Sequence, residues 1–345
     1  MQRCLDLASL GSGNVAPNPM VGAVLVYDNE VIGEGFHQQY GQAHAEVNCI
    51  NSVQQHNKHL IEKSTLYISL EPCNHFGKTP PCSDLIIAHK IPKVVIACTD
   101  PFEKVNGSGI KKLSDSDVEV ITGILEKEAI ELNKRFFTFH QQKRPYIILK
   151  WAQSENQYIS AFQGKSIKIS NALTDVLVHK WRSEAAAIMV GTNTVMLDNP
   201  SLTTRNWIGK NPIRIFIDRN LKIAQTAKIL DQSAPTIILN QNINKIEGEN
   251  DFIQINFDHE IIPQLNELLY QKNVQSIIIE GGAKLLQTFI DTDLWDEARI
   301  ITNQTMCIEN GIASPNFDYK SCFKQEKIEN DLIQYFSNPK TKKAK

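Results

Sequence analysis

The segment Glu71-Pro72-Cys73-Asn74-His75-Phe76-Gly77-Lys78-Thr79-Pro80-Pro81-Cys82 follows the apolar run Thr65–Leu70, and His44-Ala45-Glu46 lies upstream of it. One imidazole and two thiolates make three protein ligands, the number a catalytic zinc site uses while keeping its fourth position for water; a structural site would normally have four. His44-Ala45-Glu46 is predicted to open a helix. Residues two apart do not share a helical face, so His44 and Glu46 can serve one centre only near the helix end. Cys82, after Pro80-Pro81 and before Ser83-Asp84, reads as the start of another helix, whose positive end lowers a thiol pKa. Water on such a zinc ionises near pH ~7, and a carboxylate that is not a ligand can carry protons, which makes Glu46 the candidate acid/base. An H-x-E followed by P-C and a further cysteine is the pattern of deaminases that attack an amine-bearing ring carbon. Where that pattern commonly has C-x-x-C, here Asn74 to Pro81 separate the cysteines. The insertion sets a loop beside the metal, with His75 and Lys78 as donors for a polar or phosphorylated substrate.

The other cysteines do not extend the cluster. Seven is an odd number, which argues against a disulfide framework. Cys49 and Cys98 lie in apolar patterns and read as small core residues; Cys4, Cys307 and Cys322 have no partner pattern, and His37, His56, His59, His89, His140, His179 and His259 read as ordinary surface or core histidines. A length of 345 residues argues for two domains. Lys plus Arg (36) against Asp plus Glu (38) leaves a net charge of −2, so nothing in the balance favours a polyanion, and nucleic acid is not an expected partner. No apolar run approaches the roughly 20 residues of a membrane span. The start, MQRCLDLASLGSG, lacks the order of a signal peptide, so the expected compartment is the cytoplasm.

Alternating patterns predict an α/β fold with a largely parallel sheet. In the first half, a hairpin is expected from Val21–Tyr27 through Asp28-Asn29 into Val31-Ile32-Gly33, strands at 65–70 and 93–99, and helices at about 44–55, 83–90 and 124–140. Polar residues 140–144 before Pro145 set the domain boundary: 1–143, then 144–345. The second half reads as helices at about 171–184, 261–272 and 283–291 among strands at 146–150, 187–190, 213–217, 236–239, 276–280 and 297–302, with Gly191–Arg205 a polar loop.

With Ala16-Pro17-Asn18-Pro19-Met20-Val21-Gly22-Ala23-Val24 and Asp100-Pro101 through Asn106-Gly107-Ser108-Gly109 added, residues 1–140 resemble the bifunctional riboflavin biosynthesis family, in which a pyrimidine deaminase is fused to a reductase. The resemblance implies a cytidine-deaminase-like α/β/α domain acting on 2,5-diamino-6-ribosylamino-4(3H)-pyrimidinone 5′-phosphate. In it His44, Cys73 and Cys82 would bind Zn2+, Glu46 would shuttle protons, and Asn18, His75 and Lys78 would contact substrate. Family members usually carry several residues ahead of the position of Met1, so a shortened first helix is expected.

In the second half, Ser276–Glu280 followed by Gly281-Gly282 and Ala283–Leu286 reads as strand, glycine turn and helix start, a place where backbone N–H groups can meet an anion. Gly191–Arg205 offers hydroxyls, a carboxylate and a guanidinium suited to phosphate. Residues 145–300 resemble the same family's reductase domain, which implies a dihydrofolate-reductase-like fold that reduces a ribose to a ribityl chain with NADPH. By that likeness Ala152, Lys168, Thr194, Asp198 and Gly282 would line the NADPH site, and Ser166, Arg182, Leu202, Arg205 and Glu280 would contact the sugar phosphate. One departure stands out: where the family has Asp-Gly, this chain has Asn156-Gln157, so a glycine turn is lost. The expected enzyme is a homo-oligomer acting on small phosphorylated pyrimidines. The competing reading is a zinc nucleoside or base deaminase with a C-terminal ligand-binding module that reduces nothing.

Overall fold

The β-branched run beginning at Val21 forms β1 (Gly22–Tyr27), and Asp28 and Asn29, at φ of 48° and 64°, turn it back into β2 (Glu30–Phe36). Two successive positive φ angles match the right-handed twist of paired strands, which is why an Asp-Asn step suits this hairpin. The computed structural model describes residues 1–76, 80–103, 105–161 and 167–342. The chain divides into two units, Met1–Arg144 and Pro145–Lys345.

In the first unit β3 (Thr65–Ile68) pairs antiparallel with β1, and β4 (Lys93–Ile96) and β5 (Glu119–Thr122) follow in parallel, giving the order β2-β1-β3-β4-β5. Alternate residues of β1 face opposite layers. Ala23 and Leu25 pack with Cys49 and Ile50 of α2 (Ala45–Ser52), whereas Val24 packs with Cys4 and Leu7 of α1 (Gln2–Ser9). The approach of α1 is close enough that a Cβ on Gly22 would lie 2.0 Å from the Cys4 carbonyl oxygen. Two further helices, α3 (Cys82–Ala88) and α4 (Ser108–Ser114), complete the layers. The single helix expected at 124–140 is two, α5 (Glu126–Leu132) and α6 (Lys134–Gln142). The break is at Asn133, whose amide accepts the Met20 N–H at 2.8 Å and donates to the Met20 carbonyl at 2.9 Å, a demand helical periodicity does not register.

The second unit holds β6 (Tyr146–Ser154), β7 (Tyr158–Ser160), α7 (Ala172–Glu184), β8 (Ala187–Val190), α8 (Thr192–Asp198), β9 (Ile213–Ile217), β10 (Thr236–Asn240), β11 (Lys245–Glu247) and β12 (Asn250–Gln254), followed by α9 (Ile261–Gln271), β13 (Ser276–Glu280), α10 (Ala283–Asp291), β14 (Glu297–Asn303), β15 (Ile312–Ala313), β16 (Cys322–Ile328) and β17 (Asp331–Ser337). Ten strands form one sheet in the order β11-β12-β10-β9-β8-β13-β6-β14-β17-β16, parallel from β12 to β14 and antiparallel at both ends. Central strands are apolar without alternation because both faces are covered. Ile147, Leu149, Ile277 and Ile279 pack with Leu265, Leu269, Leu286 and Phe289, while Ile148 and Ile278 face Val178 and Trp181 of α7. Within the polar stretch 191–205, Thr192–Asp198 is helical, not loop: Val195 is buried against the sheet side and the Thr192 hydroxyl donates to the Ile217 carbonyl. No helix among the described residues is long and apolar enough to cross a membrane.

Candidate active sites

His44 is the N-cap of α2 and Cys82 the first residue of α3, so two helix N-termini converge on Cys73 in the loop after β3. The Cys73 and Cys82 sulfurs lie 3.5 and 3.4 Å from His44 Nδ1, and the three ligand atoms lie within 4.8 Å of one another. The Cys82 backbone N–H donates to Cys73 Sγ at 3.4 Å. Hydrogen bonding from Cys82, then from His44, holds the Cys73 thiol well below its usual range; the same contact pushes the Cys82 thiol up. Two sulfurs and one nitrogen suit a borderline-soft divalent cation, which binds the deprotonated forms. Glu46, 3% exposed in the first turn of α2, lies against the Cys82 sulfur, and burial, reinforced by Cys73, raises its carboxyl pKa.

The ligand segment is held from behind. Glu71 is buried, and its carboxylate accepts four backbone N–H groups: those of Asp100 (3.1 Å), Gly107 (2.9 Å), Gly109 (3.0 Å) and Ile110 (3.3 Å). Asn74 donates to the Ser108 carbonyl and accepts the Ser83 hydroxyl, bridging the N-termini of α4 and α3. Asn18 donates to Nε2 of His37 at 3.1 Å, the other ring nitrogen faces the Ala43 carbonyl, and the His37 ring meets His44 edge-on with centroids 5.4 Å apart. His75 has a buried Nδ1 without a hydrogen-bond partner among the described residues and a ring edge-on to Phe102. Lys78 lies outside the described residues, as does Ser166.

In the second unit Arg182 grips Glu280 through two nitrogens, at 2.8 and 3.3 Å, and Lys150 Nζ stands 3.9 Å from the same carboxylate. Burial works against the Glu280 charge, but Arg182 and Lys150 outweigh it and bring the pKa down to about 2; burial lowers that of Lys150. Arg205 donates its backbone N–H to His179 and its guanidinium to the Thr203 hydroxyl, both at 3.0 Å. Gly281 and Gly282, at φ of 79° and 71°, turn β13 into α10, and a Cβ on either would stand 3.3 or 3.6 Å from Thr194 Oγ1 of α8. The bare turn thus keeps a narrow cradle between two helix N-termini. Ala152 continues β6 two residues past Lys150. Lys168 is exposed and pairs with Asp175 at 2.8 Å, and Asp198 closes the far end of α8. Leu202 is 3% exposed and its side chain is part of the core, which leaves main-chain atoms for any ligand.

Residues 1–98 match the cytidine and deoxycytidylate deaminase zinc-binding region, and residues 145–306 match the RibD C-terminal domain. The riboflavin biosynthesis protein RibD of Aquifex aeolicus is 36% identical over 97% of each chain; that of Bacillus amyloliquefaciens is 37% identical over 86% of this chain and 81% of its own. A Thermotoga maritima structure described as a diaminohydroxyphosphoribosylaminopyrimidine deaminase/5-amino-6-(5-phosphoribosylamino)uracil reductase superposes with a TM-score of 0.88 at 32% identity, covering 98% of this chain and 97% of that one. The chain belongs to the RibD family.

A RibD chain is bifunctional, with a deaminase and a reductase domain in riboflavin biosynthesis. Three residues beside the two sites escaped sequence reasoning. His37 has no ligand spacing, and only the fold sets it against His44. Glu71 precedes Pro72-Cys73, and its signal is the glycine-rich 107–109 step that supplies its donors. Lys150 sits in an apolar strand, where a lone lysine ahead of a tryptophan is the available cue.

Proposed function

We propose that the Met1–Arg144 unit is a zinc-dependent hydrolase that deaminates 2,5-diamino-6-ribosylamino-4(3H)-pyrimidinone 5′-phosphate. The Pro145–Lys345 unit then reduces the ribosyl group of the product to ribityl with NADPH, in the cytoplasm. The observation that carries the reading is the convergence of His44, Cys73 and Cys82 on one point beside the buried acid Glu46. Zinc held there would supply a water acidic enough to attack at neutral pH. Glu46 would take a proton from the attacking water as the new C–O bond forms and return it to the amine as the C–N bond breaks and ammonia leaves. Its raised pKa suits both directions of transfer. Asn18, His75 and Lys78 orient the pyrimidine.

In the second unit the Gly281-Gly282 cradle, with Thr194 over it, fits a dinucleotide phosphate at a helix N-terminus. Ala152, Lys168, Asp198 and Gly282 complete that site, and the cofactor supplies the hydride when bound. Ser166, Arg182, Arg205, Glu280 and the backbone of Leu202 hold the sugar phosphate. Glu46→Gln is the test: zinc content by metal analysis stays at the wild-type level while deamination falls by roughly 10²- to 10⁴-fold. Deamination at the wild-type rate would remove Glu46 from the chemistry. Following NADPH absorbance with the deaminated substrate tests the second unit, since a mere binding module would leave the cofactor unconsumed.

A further inference from the structure

His179, on α7, is 5% exposed and stands one turn before Arg182. Its Nδ1 accepts the backbone N–H of Arg205 at 3.0 Å. A ring nitrogen that accepts carries no proton, so the neutral imidazole has its proton on Nε2. Burial first, and then the charges of Arg182 and Arg205, keep the ring neutral. Nε2 has no hydrogen-bond partner among the described residues and does not appear among their unpartnered polar atoms cut off from solvent. The loop it anchors is fixed from its other side as well. Arg214, fully buried, donates to the Ser201 carbonyl at 3.3 Å and to Asp231 at 2.8 Å, and the Thr204 N–H is taken up by Asn211. A rigid loop, a fixed tautomer and an unspent N–H on a ring that feels the charges of Arg182 and Arg205 are the components of an anion site.

We propose that His179 is a further sugar-phosphate-binding residue of the reductase unit, its Nε2–H donating to a phosphate oxygen between Arg182 and Arg205. The proposal rests on the sugar-phosphate reading of that unit given above. The two ring nitrogens can be tested apart. Asparagine sets an amide oxygen where Nδ1 stands and can keep the Arg205 N–H; glutamine reaches the Nε2 position and can restore the donor.

The measurement is calorimetric binding of D-ribose 5-phosphate to the full chain. His179→Asn is expected to weaken binding about tenfold, the worth of one hydrogen bond to a charged group, while His179→Gln stays within about threefold of wild type. In turnover, His179→Asn raises KM for the deaminated substrate with little change in kcat, and that retained kcat certifies the fold of the reductase unit. Wild-type affinity in His179→Asn, or an equal loss in both variants, overturns the donor role. If wild type fails to bind ribose 5-phosphate, or Arg205→Ala binds it as well as wild type, the sugar-phosphate reading itself is what fails.

Discussion

In the Met1–Arg144 unit the candidate site is made by two helix N-termini and the loop between them. In the Pro145–Lys345 unit it is made by side chains from β6, α7, β13 and the segment after α8. Each contains one buried glutamate, and the two are driven in opposite directions. Glu46 has sulfur ligands and an imidazole beside it, and burial raises its pKa; Glu280 is as enclosed, but Arg182 and Lys150 bring it down to about 2. Burial alone therefore does not set a carboxyl's role. A glutamate buried among thiols with one imidazole nearby can hold a proton for transfer, whereas one clasped by an arginine and a lysine becomes a fixed charge that orients its partners.

Removing a ligand breaks the comparison most sharply. Cys82→Ser takes away one of three donors, and the expected result is loss of bound zinc with a fall in deamination of roughly 10³-fold or more, because several kcal/mol of charge stabilisation go with the metal. NADPH oxidation with the deaminated substrate should stay at the wild-type rate. A parallel loss of both activities would show that the two sites are not independent.

Glu280→Gln probes the other side. It leaves Arg182 and Lys150 buried without their counter-charge, which costs about 3 kcal/mol when one partner of such a pair is removed. All four tryptophans, Trp151, Trp181, Trp207 and Trp295, lie in this unit, so the urea midpoint of tryptophan fluorescence reports it selectively. The folded pKa of Glu280 is depressed, so its contribution is present above the ordinary carboxylate value and lost as the pH falls toward about 2. The gap between wild type and variant should be constant above about pH 5 and close below pH 4. A gap that does not narrow in acid would mean that the charge of Glu280 is not what stabilises the unit.

The first site was legible because its chemistry is local: His44, Glu46, Cys73 and Cys82 sit in two short segments whose residue types admit few other readings. The β1–β2 hairpin and the strands β8 to β10 were legible from β-branched runs. What escaped depends on partners far along the chain. Asn133 breaks a helix to bond Met20, Glu71 collects its amides from residues 100–110, and His179 gains a role only because Arg205 comes to rest on it. The second site has that character throughout, so only resemblance to a family marked Arg182, Arg205 and Glu280 as members of one pocket. The β16–β17 hairpin went unanticipated because β16 is an edge strand exposed along most of its length, without a buried face to leave a pattern.

The smallest expected effect concerns the Asn156-Gln157 step between β6 and β7. Despite the missing glycine the turn is closed: the Gln157 N–H donates to the Ser154 carbonyl at 3.0 Å, the Asn156 side chain accepts the Ile308 N–H and donates to its carbonyl, and the Ser154 hydroxyl accepts the Tyr158 N–H. Gln157 itself adopts φ of 63°, the left-handed region. A non-glycine residue there carries a steric cost of roughly 1–2 kcal/mol, against the roughly 0.5–1 kcal/mol of chain entropy that glycine forfeits on folding. Gln157→Gly should therefore raise the stability of the second unit by about 0.5 kcal/mol, read from the tryptophan urea midpoint, with NADPH turnover unchanged. The gain is small because Asn156 already supplies the bonds that fix the turn, so the substitution removes local strain without adding a contact. A loss of stability would show that the Gln157 side chain contributes more than its backbone costs.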